Sequence, residues 1–318
     1  MPVHRRTLLG SLAAAPLVGA FPAWAAAPPL AGQAPSFFRY RVGDMQVTAI
    51  HDGMAYRGLD GFIPNADPAA VKQALADNFL PTDKMPITFT TLVINTGGKL
   101  VLIDTGNGDL GAPTAGKWMA NFLAAGFTPD QVDTVIFSHF HGDHINGFRL
   151  KDGTAVFPKA EIMVPEAEWA YWTSDNERTR TPGLAGGFDN VKRVFGPVMK
   201  DVTTYGWDKE IVPGITSVRA DGHTPGHTAF AIVSGTGKLL VMSDVTNNTS
   251  IFARHPDWSA VFDQDAAMAR ATRHRMLDLA ATEKMQVSFY HAPFPATGNI
   301  VREGDGFRLV PTLWNSQA

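Results

Sequence analysis

Residues 138–148, SHFHGDHINGF, place His139, His141, Asp143 and His144 within six consecutive positions. Protonated, these histidines would repel one another, and buried in the neutral form they would leave ring nitrogens without partners. A bound divalent metal ion removes both problems, because neutral imidazole and carboxylate are ordinary ligands of zinc and its neighbours. We therefore predict that this segment binds metal.

The spacing within the segment predicts two ions rather than one. His139 and His141 lie two residues apart at the end of a predicted buried strand, DTVIFSH, and the strand period sends both side chains to one side. Asp143 and His144 follow where the chain leaves the strand, so their side chains diverge from that pair and can serve a second ion. Both sets of ligands are incomplete, so further ligands must come from other segments.

Candidates for the missing ligands follow three later predicted strands. DGHTPGHT contains His223 and His227 in a turn, VMSDV places Asp244 at a strand end, and FYHAPF places His291 at another. Strand ends that converge at one rim of a sheet would assemble these side chains into one site.

The elements that would position these residues are predicted from periodicity and turn signals. TFTTLVINTGGKLVLIDTG and IVREGDGFRLVP predict hairpins, and KWMANFLAAGF and DQDAAMARATRHRMLDLAATE predict helices. About residues 157–210 are rich in Gly, Pro and aromatic residues and are expected to be irregular. Strands followed by a few helices, twice along the chain, predict two sheets packed face to face with helices outside.

The series H-x-H-x-D-H, G-H-T-P-G-H, a lone Asp at a strand end and a late His resembles the metallo-β-lactamase superfamily. LVLIDTG, with Asp104, matches an early strand motif of that superfamily. The spacing of the ligands and the segments HAPFPATGNI and REGDGFRLVP are similar to methyl parathion hydrolase and related exported hydrolases. The resemblance covers about residues 42–310 and implies an α/β (α+β) fold, the αββα sandwich of two mixed sheets with outer helices.

The resemblance also implies a division of the ligands between two metal ions. One ion would be held by His139, His141 and His223, the other by Asp143, His144 and His291, and Asp244 would bridge them. The first histidine of G-H-T-P-G-H is the ligand in that superfamily. His227 and Asp104 are therefore expected to orient ligands through hydrogen bonds rather than to bind metal. Zinc is the expected metal, and Mn, Fe or Co would suit the same ligands.

Two such ions would supply a hydrolytic mechanism. They can share a water, lower its pKa and hold the bridging hydroxide for attack on a carbonyl or phosphoryl centre. Asp143 and Asp244 are the expected catalytic carboxylates, with Asp143 the nearest group to assist proton transfer. The sequence contains neither a G-x-S-x-G segment nor a cysteine, so covalent catalysis has no candidate nucleophile.

The resemblance implies an ester, lactone or phosphotriester as substrate. Trp169, Trp172 and Phe188 are expected to line the substrate pocket, which would favour small molecules that are apolar and uncharged. A β-lactam hydrolase of the same fold is an alternative, although such enzymes usually lack the bridging Asp that Asp244 supplies. A non-catalytic member that binds metal or ligand is the other alternative.

The N-terminal segment suggests a localisation, and the overall charge bears on the partners. Arg5 and Arg6 precede a short apolar run that closes with Ala23, Trp24 and Ala25, a layout typical of a twin-arginine export signal over residues 1–25. A Pro/Ala-rich segment, 26–41, and a hydrolase domain, 42–318, would follow, and the mature protein would be periplasmic or secreted without membrane attachment. The formal net charge of -3 and the lack of a basic run give no reason to expect a nucleic-acid partner, whereas the resemblance implies a homodimer.

Overall fold

The computed structural model describes residues 32–316, so the predicted signal segment lies outside the described residues. From Pro35 onward the chain forms one compact unit. The predicted start of the domain at residue 42 is wrong, because strand β1, Phe37–Val42, already pairs along its whole length with the next strand. Alternate side chains of β1, Phe38, Tyr40 and Val42, are buried, which makes this strand part of the core rather than of a tail.

The first sheet contains seven strands whose spatial order is their order in the sequence. After β1 come β2 (Met45–Gly58), β3 (Lys84–Asn95), β4 (Leu100–Ile103), β5 (Thr134–Ile136), β6 (Glu161–Pro165) and β7 (Val202–Tyr205). The pairs from β1 to β4 are antiparallel and those from β4 to β7 are parallel, so the sheet is mixed. The predicted hairpin in TFTTLVINTGGKLVLIDTG is the antiparallel pair β3–β4.

The second sheet also contains seven strands, and they too pair in sequence order. They are β8 (Glu210–Val212), β9 (Ile215–Arg219), β10 (Thr228–Ser234), β11 (Gly237–Ser243), β12 (Gln286–Phe289), β13 (Thr297–Glu303) and β14 (Gly306–Pro311). Only β11 and β12 pair in parallel, and β13–β14 form the predicted last hairpin.

Eight α-helices occur in the described part of the chain. They are α1 (Pro68–Asp77), α2 (Trp118–Ala124), α3 (Gly142–Ile145), α4 (Glu166–Trp172), α5 (Asp175–Arg180), α6 (Ala185–Phe195), α7 (Thr249–Phe252) and α8 (Ala266–Thr282). The predicted helices in KWMANFLAAGF and DQDAAMARATRHRMLDLAATE are α2 and α8. Helix α8 begins after Asp265, whose carboxylate accepts a hydrogen bond from the backbone N–H of Met268 and caps the helix.

The two sheets pack face to face with helices on the outer faces, as predicted. One buried cluster joins Val47 and Ile94 of the first sheet to Phe230 and Leu239 of the second. Helices α2, α4 and α6 cover the other face of the first sheet, and α8 covers the other face of the second. Burial on both faces explains the near-continuous apolar runs of the central strands.

The expectation that residues 157–210 are irregular is wrong, because they contain β6, α4, α5, α6 and β7. Helix α6 buries Phe188, Val191 and Phe195 on one face, at helical spacing. Its glycines obscured this pattern, but Gly187 has a packing role: a Cβ there would lie 2.7 Å from the ring of Trp172. Close packing of α6 against α4 therefore requires a residue without a side chain.

Among the described residues, none of the helices has the length and apolar character needed to cross a membrane.

Candidate metal centre

The predicted ligands lie at one rim of the sandwich because the strands before them end there. Asp104 follows β4 and His139 follows β5, and these two strands are parallel neighbours. In the second sheet, Asp244 follows β11 and His291 follows β12, again parallel neighbours. The turn between β9 and β10 adds His223. Parallel neighbours end at the same edge of a sheet, so the topology itself brings these side chains together.

The ligand atoms converge in two groups, each with its atoms within 4.8 Å of one another. The first donor group consists of His139, His141, His223 and Asp244, and the second of Asp143, His144 and His291. In the first group, His141 Nδ1 lies 3.1 Å from His139 Nε2 and 2.9 Å from His223 Nε2. These are the same groups that the resemblance implied.

The carboxylate of Asp244 lies between the two donor groups. Its Oδ2 is 3.3 Å from His223 Nε2 and 2.9 Å from His291 Nε2, whereas its Oδ1 is 3.2 Å from His144 Nε2. Asp143 Oδ2 completes the second group at 3.5 Å from His144 Nε2. Within residues 32–316, Asp244 is thus the one carboxylate that contacts histidines of both groups.

Asp104 does not face the other ligands but holds one of them. Its Oδ2 accepts hydrogen bonds from His144 Nδ1 at 2.8 Å and from the Ser138 hydroxyl at 2.7 Å, and its Oδ1 accepts from the Ser138 backbone N–H. An ionised carboxylate can only accept, so in the neutral ring that metal binding requires, the proton of His144 lies on Nδ1. His144 Nε2 therefore keeps its lone pair and points towards Asp244.

His227 lies beside the centre without a free nitrogen. Its Nδ1 donates to the carbonyl of Ala220 at 2.6 Å, and its Nε2 accepts the backbone N–H of Asp244 at 3.0 Å. Burial lowers the pKa of His227 to about 4, so the ring is neutral and fixed in one tautomer. It orients the backbone of Asp244 and has no lone pair left for a metal.

Burial and the neighbouring charges act in opposite directions on the pKa values of several donor residues. Burial lowers the pKa of His139 and of His141 well below the ordinary histidine value. Burial acts the same way on His144, but the negative charges of Asp244 and Asp143 raise the pKa of His144 well above that value. Burial would raise the pKa of Asp244, yet His144 and the other imidazoles hold it well below its usual range. The pull of ionised Asp244 on a proton at His144 means that the centre favours a positive charge, which a metal ion can supply.

Buried atoms without partners test whether a metal fits. His144 Nε2 and Asp244 Oδ1 are buried, have no hydrogen-bond partner within residues 32–316, and face each other. At 3.2 Å these two atoms repel as lone pairs unless a proton or a metal cation lies between them, and His139 Nε2 and His141 Nδ1 likewise approach to 3.1 Å. Zinc bonds of 2.0–2.1 Å give a tetrahedron with edges of about 3.3 Å, close to the observed donor spacings. The residues therefore fit divalent metal ions.

A cavity of about 460 Å³ opens above the donor atoms. His141, Asp143, Asp244 and His291 form its floor, and its wall is partly apolar, with Ala55, Ile87, Phe89, Leu110, Ala112 and Phe262. Asparagines and Arg57 supply the polar part of the wall. A small organic molecule bound there would contact both donor groups and an apolar surface.

The predicted pocket residues are not in this wall. Trp172 and Phe188 are buried and pack against each other with ring centroids 4.8 Å apart, and they border a separate cavity of about 830 Å³. Trp169 packs edge-on against Phe140 and Phe195 in the core. The prediction that these three aromatic residues line the substrate pocket is wrong, because helices α4 and α6 turn them towards the first sheet.

Glu168 is a supporting residue that the sequence analysis missed. Its buried carboxylate accepts from the N–H of Phe140 at 2.9 Å, the Trp172 indole at 2.7 Å, the Thr224 hydroxyl at 2.8 Å and the N–H of Gly226 at 2.8 Å. These bonds join α4 to the two loops that carry His139, His141 and His223. Burial raises its pKa, against the four hydrogen bonds. An acidic residue among the aromatics of EWAYW was the available signal.

Asp263 is a second supporting residue without a sequence motif. Its Oδ1 lies 2.9 Å from His223 Nδ1, and its Oδ2 accepts from the buried guanidinium of Arg273 at 3.3 Å. Burial would lower the pKa of His223, but Asp244 and Asp263 raise it to about 9. Tyr290 also supports the site, since its hydroxyl donates to the carbonyl of Asp143 and its ring packs, tilted, against that of His144.

With this geometry in place, the comparisons with known proteins identify the family. The family model described as the metallo-beta-lactamase superfamily matches residues 87–282, and the chain belongs to this superfamily. An N-acyl homoserine lactonase from Bacillus sp. is 26% identical over 170 residues, which are 52% of this chain and 58% of that relative. One from Bacillus cereus is 25% identical over the same shares. The chain thus spans less than two thirds of the length of these curated relatives.

Solved structures extend the similarity over most of the chain. AidC, described as a dizinc quorum-quenching lactonase in complex with a product, is 27% identical, with a TM-score of 0.82 over 88% of this chain and 99% of AidC. The hydrolase AbOPH of the beta lactamase superfamily is 23% identical, with a TM-score of 0.84 over 90% of this chain and all of AbOPH. At that identity the second structure supports the fold alone.

Proposed function

We propose that the protein is a hydrolase of lactones or esters that depends on two divalent metal ions, with zinc as the expected metal. The observation that carries the proposal is the pair of donor groups that meet at Asp244 on the floor of a cavity. The relatives named N-acyl homoserine lactonases and the neighbour named a dizinc lactonase support the lactone as first choice.

In this function each donor group would hold one metal ion. His139, His141 and His223 would hold one ion, Asp143, His144 and His291 the other, and Asp244 both. When bound, two such ions lower the pKa of a shared water towards neutrality and polarise the oxygen of the substrate.

The chain's own side chains would orient the reaction and move the proton. Asp143 is partly accessible in the cavity, where its carboxylate can take up the proton that the attacking water releases and pass it to the leaving alkoxide. The hydrogen bonds of Asp104 to His144 and of Asp263 to His223 fix the ring orientation and keep the facing nitrogens towards the centre. The apolar wall would receive the hydrocarbon part of the substrate and exclude water around the scissile bond.

We also propose export through the twin-arginine route and assembly as a homodimer. The paired arginines Arg5 and Arg6 ahead of a short apolar run support export, and the resemblance to exported hydrolases supports the dimer. Fractionation of cells that express the full chain, followed by light scattering of the periplasmic form, tests both. Retention in the cytoplasm would contradict the first proposal, and a monomer at micromolar concentration the second.

The deciding experiment measures metal content and substrate preference together. The purified protein is loaded with zinc, analysed for metal, and assayed with an N-acyl homoserine lactone, an aryl ester, a phosphotriester and a β-lactam. We expect about two metal equivalents per chain, loss of turnover on chelation, and faster turnover of the lactone or aryl ester than of the β-lactam. Turnover that survives chelation would contradict the proposal. Faster turnover of the β-lactam would favour the alternative lactamase, and metal binding without any turnover a non-catalytic member.

A further inference from the structure

Two asparagines in the cavity wall have side-chain amides whose orientation the structure fixes. Asn107 and Asn146 are both largely buried, and both border the cavity above the donor groups. They lie on adjacent segments, which are joined by a hydrogen bond from the N–H of Gly147 to the carbonyl of Gly106. Neither residue belongs to a donor group.

The amide of Asn146 is oriented by groups that can only donate to it. Arg193 Nη2 lies 2.8 Å from Asn146 Oδ1, and a guanidinium has no acceptor atom. Asn190 Nδ2 donates to the same oxygen at 2.9 Å, while its own Oδ1 accepts from Arg193. The oxygen of Asn146 must therefore face Arg193, which leaves its Nδ2 on the opposite side.

The free end of the Asn146 amide lies against the metal-binding segment. A Cβ built on Gly142, between His141 and Asp143, would be 3.0 Å from Asn146 Nδ2. Within residues 32–316 this nitrogen donates no hydrogen bond. Asn146 thus presents a hydrogen-bond donor beside the floor of the cavity, and a side chain at position 142 would press on it.

Asn107 is oriented in the opposite sense by Asp52. Both the backbone N–H and the Nδ2 of Asn107 donate to Asp52 Oδ2, at 2.7 and 2.8 Å, and Asp52 Oδ1 accepts the backbone N–H of Trp118 at 2.7 Å. Asp52 is buried and accepts at both oxygens, so the nitrogen of the Asn107 amide must face it. The Oδ1 of Asn107 is left as an acceptor without a partner in the described chain.

We propose that Asn107 and Asn146 are specificity-determining residues that bind a secondary amide carried next to the scissile ester of the substrate, with Asp52 and Arg193 as their positioning residues. This inference rests on the proposed function and adds which group beside the scissile ester the cavity wall binds. A fixed acceptor and a fixed donor are the complement of one amide N–H and one amide carbonyl. The Oδ1 of Asn107 accepts the N–H, and the Nδ2 of Asn146 donates to the carbonyl.

Three lactones of equal length separate the two hydrogen bonds. The first carries an acylamino chain on the carbon next to the ring carbonyl. In the second, CH2 replaces the amide N–H, and in the third a plain alkyl chain replaces the whole amide. Rates are expressed relative to the alkyl lactone, so that general effects of a substitution on the metal centre cancel.

We expect Asn146→Asp to lower the relative kcat/KM about tenfold for both carbonyl-bearing lactones, because it removes the donor yet keeps the bonds from Arg193 and Asn190. Asn107→Ala should lower it to a similar extent for the acylamino lactone alone. Arg193→Gln should raise KM for both carbonyl-bearing lactones and leave kcat within about twofold, as a positioning residue would. Asn95→Asp, at the exposed end of β3, is the matched control and should change nothing.

Metal content, melting temperature and calorimetric binding of the ring-opened acylamino product are measured on every variant. Weaker product binding with unchanged metal content would support the proposal independently of turnover. If the wild-type protein hydrolyses all three lactones and the variants leave their relative rates unchanged, the amide-binding assignment is overturned. If the metal-loaded wild type hydrolyses none of them, the proposed lactonase function itself is overturned.

Discussion

The floor and the wall of the cavity are built in different ways. At the floor, the two donor histidines from the second sheet and its turns each have a partner on the ring nitrogen that faces away from the centre. His223 Nδ1 lies 2.9 Å from Asp263 Oδ1, and His291 donates from Nδ1 to the carbonyl of Thr88. The wall instead combines side chains from distant parts of the chain, such as Phe89 in β3 and Phe262 before α8. The floor follows directly from short motifs at strand ends, whereas the wall depends on which loops the whole fold brings over them.

Removing the carboxylate shared by both donor groups should have the largest effect on the floor. Asp244→Ala removes the carboxylate that contacts histidines of both donor groups. Several kcal/mol of transition-state stabilisation by the ions correspond to a loss of roughly 10³-fold in kcat/KM. Elemental analysis should show fewer than two bound metals. Asp305→Ala, in an exposed turn, is the control. Wild-type turnover and metal content in Asp244→Ala would contradict the assignment of Asp244 as a ligand shared by both metal ions.

Removing Phe188 tests whether the aromatic cluster stabilises the fold without contacting the substrate. Phe188→Ala deletes a buried ring that packs on Trp172 and Tyr171, so we expect the free energy of unfolding to fall by about 3–5 kcal/mol. At temperatures where the variant is folded, the ratio of aryl ester to lactone turnover should stay within twofold. Denaturant unfolding and kinetics measure the two effects, with Leu123→Ala at an exposed helix position as control. A changed ratio would mean that Phe188 does line the substrate pocket.

Much of the floor could be predicted from the sequence because its causes are local. The predicted strand DTVIFSH ends early, at Ile136, but His139 and His141 still meet in the segment that follows it, and the same run of residues contains Asp143 and His144. Asp244 and His291 also follow buried strands. The parallel pairing that joins these strand ends is long-range, but the resemblance to a family supplied it.

The supporting residues and the wall could not be predicted in the same way. Asp263 lies in a loop with no motif, and its role depends on the turn that brings His223 to it. Glu168 looks like a surface residue of a short helix until the helix is packed against the metal-binding loops. Trp172 and Phe188 have the spacing of a core as much as of a pocket, and only the packing of α4 and α6 decides between them.

The pH dependence of metal uptake tests the electrostatics of the first donor group. In the metal-free protein the pKa of His223 is raised to about 9, since Asp244 and Asp263 outweigh burial. Below that pH a metal must displace the proton, so affinity should fall as the pH falls, by about tenfold per unit for each proton displaced. Above it this contribution should level off.

Competition with a chelator between about pH 6 and about pH 10 measures this slope. Asp263→Asn removes one of the two charges that raise the pKa of His223, so the variant should lose its proton at lower pH and show a shallower dependence near neutrality. Asp265→Asn, which keeps an acceptor at the start of α8, is the matched control. Zinc affinity that does not change over this range would contradict the description of His223 as protonated in the metal-free site.

The smallest expected effect is at the wall. Phe262 is 36% exposed, packs edge-on against Phe62 and borders the cavity, next to the residue that supports His223. Phe262→Ala removes part of an apolar contact worth about 1 kcal/mol, so KM should rise about fivefold for long-chain lactones and hardly at all for short ones. Val261→Ala, a more exposed neighbour outside the cavity lining, should leave both unchanged. An equal loss for long and short chains would mean that Phe262 acts through the metal centre instead, and that wall and floor are coupled through this loop.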